Sequence, residues 1–173
     1  MSEAHLLKCV ARGDQRAFEE LYRRYYRRIA RFLAKRIPPS HSADEIIDDT
    51  LLVVWQHASQ FRHSSKVSTW IFGIAYRIAL KSLRKHRLWL RTATAGELSE
   101  SVVDPTRVDE ERQWLAEGMR RLPDKQRLNL VLNYHFGHSI AQMALMSDCP
   151  VGTMKARMFH AREKLRLQLN ALQ

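Results

Sequence analysis

A chain of 173 residues with a formal net charge of +11 has room for one ordinary domain or two small ones, and its charge suits a polyanion: nucleic acid or an acidic membrane surface. No run of about 18 apolar residues occurs, and the opening MSEAHLLKCVARGD lacks the basic-then-apolar order of a secretory leader, so a cytoplasmic protein with no membrane insertion is expected. Cys9 and Cys149 are too few for a disulfide framework and too far apart for a CxxC site, and read as small, partly buried side chains rather than a redox pair.

Glu3 to Val10 has the spacing of a short amphipathic helix through Leu6, Leu7 and Val10, ended by Gly13. Asp14 then caps a longer helix reaching Ile37, with Phe18, Leu21, Tyr22, Tyr25, Ile29, Phe32 and Leu33 on one face and Arg23, Arg24, Arg27, Arg28 and Arg31 on the other. Pro38 and Pro39 stop it. The next helix spans about Ala43 to Ser59, with Asp44 and Glu45 at its positive end and an apolar stripe of Ile46, Ile47, Thr50, Leu51, Val54 and Trp55. Asp48 and Asp49 leave an acidic spot in a basic half. Such a spot repels DNA and suits a basic protein partner, or else serves only capping and solubility.

A polar loop, Gln60 to Lys66, leads into a helix from Val67 to about Arg87. On a helical wheel Gly73, Arg77, Lys81 and Arg84 fall within about 40° of Trp70, whereas Ile71, Phe72, Ile74, Ala75, Ile78, Ala79 and Leu83 occupy a different, apolar arc. Cations track phosphates and aromatics stack on unpaired bases, so the Trp70 stripe has the chemistry of a single-strand DNA surface; the plainer alternative is that Trp70 is core. From Trp89 to Arg107 the periodicity fades into small and polar residues, the pattern of a flexible interdomain linker.

Helical patterning returns from Val108 to Arg121, and again from Pro123 to about Phe136. Two further helices follow at a sharp corner. Ile140, Met143 and Ala144 mark the first, Asp148 suits a left-handed turn, and Pro150 can open the second. In the second, Met154, Met158, Ala161 and Leu165 form a buried face, while Lys155, Arg157, Phe159, His160, Arg162 and Lys164 lie opposite. This is the pattern of a helix-turn-helix with a recognition helix; the plainer alternative is an ordinary basic surface helix. The fold class expected is all-α, as two small helical domains covering residues 1–88 and 108–173, joined by a linker over 89–107.

Catalytic and metal chemistry find little support. His135 with His138, and His5 with Cys9, are spaced as ligand pairs, but neither has a second pair close in sequence. No GxSxG, GxxxxGK[ST] or GxGxxG motif occurs, and no cofactor is expected.

Five blocks together resemble the extracytoplasmic-function (ECF) sigma factors of bacterial RNA polymerase: GDQRAFEELYRRYY from Gly13, ADEIIDDTLLVVWQ from Ala43, STWIFGIAYRIAL from Ser68, RLPDKQR from Arg121 and DCPVGTMKARMFHAREKL from Asp148. The resemblance implies a non-catalytic initiation factor with two partners, core RNA polymerase and promoter DNA. Many members also have an anti-sigma factor that holds them inactive. By motif position, Asp48 and Asp49 fall in the helix that binds the polymerase clamp. Phe61, Arg62, His63, Ser64, Ser65 and Lys66 match the loop that receives a flipped minus-ten base, and Trp70, Arg77, Lys81 and Arg84 lie along the strand-binding helix. Lys155, Ala156, Phe159 and His160 fall where the recognition helix faces the minus-thirty-five element. Tyr76 and Arg77 stand where the family usually has Arg-Asn, Lys81 replaces a common Asp, and Ala156 and His160 replace frequent Ser and Arg. These departures keep or raise positive charge and bear on promoter preference. The rival reading is a stand-alone helix-turn-helix regulator whose N-terminal half senses a signal or dimerises.

Overall fold

The computed structural model describes residues 2–34, 43–92 and 110–171, and all regular structure among them is helical. Helix α1 (Glu3–Val10) starts at Ser2, whose hydroxyl accepts from the His5 amide at 3.3 Å, and gives way to a turn in which Gly13 takes a positive φ of 84°. Helix α2 (Gln15–Leu33) is capped as the sequence suggests, the Asp14 carboxylate accepting from the Ala17 amide at 3.1 Å. It ends at Leu33, where Ala34 has an extended ψ of 132°; the expected stretch to Ile37 and the stop at Pro38 and Pro39 lie outside the described residues. Helix α3 (Ala43–His57) passes into one 3-10 turn, Ala58–Gln60. Helix α4 (Val67–Thr92) runs beyond Arg87 into the stretch expected to be linker. The segment KHRLWLR from Lys85 contains no Gly or Pro, so loss of apolar periodicity there does not break the helix. The rest of the expected linker, 93–107, lies outside the described residues.

The C-terminal set is α5 (Glu110–Arg120), α6 (Asp124–Tyr134), α7 (Ile140–Met146) and α8 (Val151–Asn170). Ser139 and Gln142 form a reciprocal capping box at the start of α7. Asp148 has φ 48°, the left-handed corner its residue type tolerates. Pro123 and Pro150 take the N-cap positions with extended ψ of 142° and 147°, one residue before the helical first turn in which a proline is also at home.

Helices α1 to α4 bury Leu21, Tyr25, Ile29, Phe32, Ile47 and Leu51, and α5 to α8 bury Leu128, Leu132, Met143, Met154, Met158 and Ala161. These are the two small helical domains expected, but their cores are continuous. Phe136, just after α6, sits 5.0 Å from the Phe72 ring of α4 and 5.8 Å from the Phe32 ring of α2, so an aromatic side chain of the second domain completes the core of the first. Phe72 is fully buried where all of these meet. Phe72→Ala is therefore expected to cost about 3 to 5 kcal/mol in urea unfolding, the range for emptying a buried aromatic site. A loss below about 1 kcal/mol would show that the cluster collapses around the cavity or is not packed as described.

Candidate nucleic-acid interface

The recognition helix divides as its periodicity suggests. Met154, Met158 and Ala161 of α8 are buried, and Lys155, Ala156, Phe159 and His160 are exposed. Residues 151, 155 and 159 form one outward row and 152, 156 and 160 the next, four residues apart. Gly152 has open space around it and Phe159 is 60% exposed, so this face combines an accessible backbone, an apolar ring and polar ends that can reach base edges. Arg157 does not join it: its guanidinium turns back to donate to the Cys149 sulfur at 3.5 Å.

The proposed single-strand surface is only partly open. Arg62, His63, Ser64 and Lys66 are exposed in the loop before α4, with Ser65 half-buried, and His63 takes a positive φ of 54°. Phe61 is buried beneath them, its ring 4.8 Å from His63 and 5.4 Å from Trp70. Trp70 is half-buried, so it is neither pure core nor a free stacking platform. Lys81 and Arg84 are exposed. In the middle of the stripe the pattern changes: a Cβ on Gly73 would lie 3.3 Å from the Met146 Cα, and Arg77 donates to the Met146 carbonyl at 3.2 Å. The second domain thus packs beside the centre of the stripe at Gly73, while Arg77 itself remains exposed.

A separate face joins α2 to α3. Tyr22 donates to Asp48 at 2.8 Å and Tyr26 donates to Asp44 at 2.6 Å, with the two tyrosine rings stacked at 5.8 Å. The hydrogen bond to Asp48, burial and the carboxylate charge push the Tyr22 hydroxyl up to about 12. Asp49 is exposed beside this pair, and Leu52 is 52% exposed one turn further along. Sequence reading picked out Asp48 and Asp49 but assigned Tyr22 to the core and gave Tyr26 and Asp44 no part here. The available signal was the matched four-residue spacing, Tyr22 with Tyr26 and Asp44 with Asp48, which places two ladders opposite one another.

Between α5, α6 and α8 an apolar groove of about 670 Å³ is lined by Trp114, Leu115, Met119, Tyr134, Leu165 and Leu169. It is not visible from periodicity, because it forms only where three helices meet. Among the described residues no three His, Cys, Asp or Glu side chains converge as a metal site. No helix among them is long and apolar enough to cross a membrane.

A helix-turn-helix domain joined to a helical domain with its own loop-and-helix basic surface defines a protein of the sigma-70 class. The Sigma-70 region 2 model matches residues 21–88, and the Sigma-70 region 4 model matches residues 112–165. The chain is 32% identical over 164 residues to the ECF RNA polymerase sigma factor SigM of Mycobacterium tuberculosis, covering 95% of this chain and 83% of the relative. It is 26% identical over 178 residues to the ECF RNA polymerase sigma-E factor of Escherichia coli, covering 95% and 93%. Among solved structures it is similar in fold to CnrH in complex with the cytosolic domain of CnrY (TM-score 0.69, 23% identity, 98% and 97% covered). It is likewise similar to the sigma factor RpoE in complex with the anti-sigma factor NepR from Bartonella quintana (TM-score 0.70, 21% identity, 88% and 96% covered). The chain belongs to the ECF RNA polymerase sigma factor family and directs transcription initiation. Nothing in these matches supports a stand-alone regulator.

His138 gives the meeting of the domains a pH dependence. Its ring is buried 5.3 Å from that of Phe72. Burial, reinforced by the cations Arg28 and Lys66 and opposed by a hydrogen bond with Gln142, holds its pKa below the usual 6.5. Below about pH 6.5 the unfolded chain therefore takes up this proton first, so the stability of the neutral ring is present above that pH and lost on acidification. Between about pH 7.5 and 5.5 the parent should lose more stability in urea than His138→Gln, which does not titrate. Equal losses would remove His138 from the account.

Proposed function

We propose that the chain uses separate surfaces for polymerase and promoter. The reading rests chiefly on the Tyr22–Asp48 and Tyr26–Asp44 pairs, a fixed acidic and aromatic face on a protein of net charge +11. Such a face repels DNA and complements a basic protein surface, so Asp44, Asp48 and Asp49 meet the clamp of core RNA polymerase. The tyrosines hold two of the carboxylates in place before binding, which lowers the ordering cost of the interface. The groove between α5, α6 and α8 offers an apolar seat for the polymerase flap. The factor works in the cytoplasm and supplies no catalytic group; the polymerase performs the chemistry.

The loop Phe61 to Lys66 captures a minus-ten base, and Trp70, Arg77, Lys81 and Arg84 carry the melted strand next to it. Lys155, Ala156, Phe159 and His160 read the minus-thirty-five duplex. Both solved relatives are held by partner proteins, one named as an anti-sigma factor, which supports an anti-sigma partner for this chain as well.

Run-off transcription with core polymerase tests this division. Core polymerase should initiate only with the factor present, while Asp48→Lys with Asp49→Lys should lower core affinity by more than about tenfold at unchanged circular dichroism, since like charges facing each other cost several kcal/mol. Parental affinity in that variant would sink the assignment of the acidic face. On a library randomised across the minus-thirty-five element, Ala156→Ser with His160→Arg should select a different sequence from the parent. Lys155→Ala should weaken all promoters alike and lower the salt slope by about 1 if Lys155 holds phosphate, or relax a single position if it reads a base. An identical selection by parent and double variant would move specificity elsewhere.

A further inference from the structure

We propose that the cleft between α1 and the loop before α4 holds the melted strand on the start-site side of the captured minus-ten base, with His5, Lys8 and Arg12 as its contacts. The inference rests on the assignment of the loop Phe61 to Lys66 to that base. The cleft has a volume of about 370 Å³ and is bounded by His5 and Lys8 of α1 on one side and by Ser59, Phe61 and His63 on the other. It opens beside the loop itself: the His63 ring, on a backbone with φ 54°, lies 4.8 Å from the Phe61 ring. Ala4 and Ala11, before and after Lys8 along the chain, contribute only methyl groups to its wall and so leave it open.

Charge and chain direction select the occupant. His5, Lys8 and Arg12 follow one another at helical spacing, all three are exposed, and none makes an ion pair among the described residues. Glu3, the one carboxylate of α1, is held by Arg28 at 2.9 Å, and no carboxylate lines the cleft. Lys8 and Arg12 can therefore each neutralise a phosphate, while the His5 and His63 rings offer flat faces and N–H groups to a base. The α4 stripe leads from Trp70 toward the end of the helix that continues into the minus-thirty-five domain, so it takes the strand upstream of the captured base. The cleft lies at the Ser59 to His63 end of the loop, away from that stripe. The strand that meets it is the unpaired segment between the minus-ten element and the start site.

Binding of fork-junction DNA by the chain in complex with core polymerase tests this. A short fork ends its single strand at the minus-ten element, and a long fork extends the same strand to the start site. Lys8→Ala with Arg12→Ala should bind the short fork within about twofold of the parent but lose at least about fivefold on the long fork, with a salt slope lower by about 1.4, at about 0.7 per phosphate contact on a single strand. Ala4→Trp, which fills the cleft without changing charge, should weaken the long fork by a similar factor. An equal loss on both forks would reduce Lys8 and Arg12 to a diffuse field, and parental binding of the long fork by both variants would show that no strand enters the cleft; either result overturns the proposal. Failure of the loop assignment reads differently. Arg62→Ala with Lys66→Ala would then bind the short fork, in which α1 takes no part, as tightly as the parent does.

Discussion

Burial of Phe72 between the two domains is the constraint on which the rest of the structure depends. Its ring meets Phe32 from α2, Phe136 from the turn after α6 and the buried His138 before α7. Two helical sets of this size are each marginal alone, since small domains bury a smaller share of their surface. A shared aromatic cluster offsets part of that deficit. It also fixes which faces remain free: the acidic ladder on α2 and α3, the outward rows of α8, and the two ends of the α4 stripe.

That arrangement separates charges of opposite sign on one small chain. The arginines of α2 are not a uniform basic surface, because Arg24 pairs with Glu20 at 2.8 Å and Arg28 pairs with Glu3 at 2.9 Å while lying over the Tyr25 ring. Exposed cations lie at the loop before α4, at Lys81 and Arg84, and on α8, and Arg16, Arg23 and Arg27 are exposed on α2 as well. The carboxylates Asp44, Glu45, Asp48 and Asp49 are exposed on the first two turns of α3. A polyanion and a basic protein can therefore approach from different sides, as an initiation factor lying between polymerase and promoter requires.

Much of this was legible in the sequence. The apolar spacing of α2, α4 and α8 identified buried faces correctly, because an amphipathic helix announces its core side through local periodicity. Asp14 and Asp148 lay where local chemistry required them. What could not be read was anything that depends on how distant helices meet. Tyr22 and Tyr25 look alike in a helical wheel, yet Tyr25 is buried and Tyr22 reaches Asp48 at the domain edge. Gly73 and Arg77 share a wheel position with Trp70, but the neighbour that occupies that position comes from a helix about seventy residues later. The end of α4 was missed for another reason: the residues after Arg87 lose amphipathic pattern without containing a helix breaker.

The shared cluster around Phe72 holds α7 against α4 in one arrangement. The most direct measurement is the distance between fluorophores placed at Gln56 on α3 and Thr153 on α8, both exposed, by single-molecule energy transfer. The free chain should show one short distance, as the shared cluster requires. A long or broadly spread distance in the free chain would contradict the account.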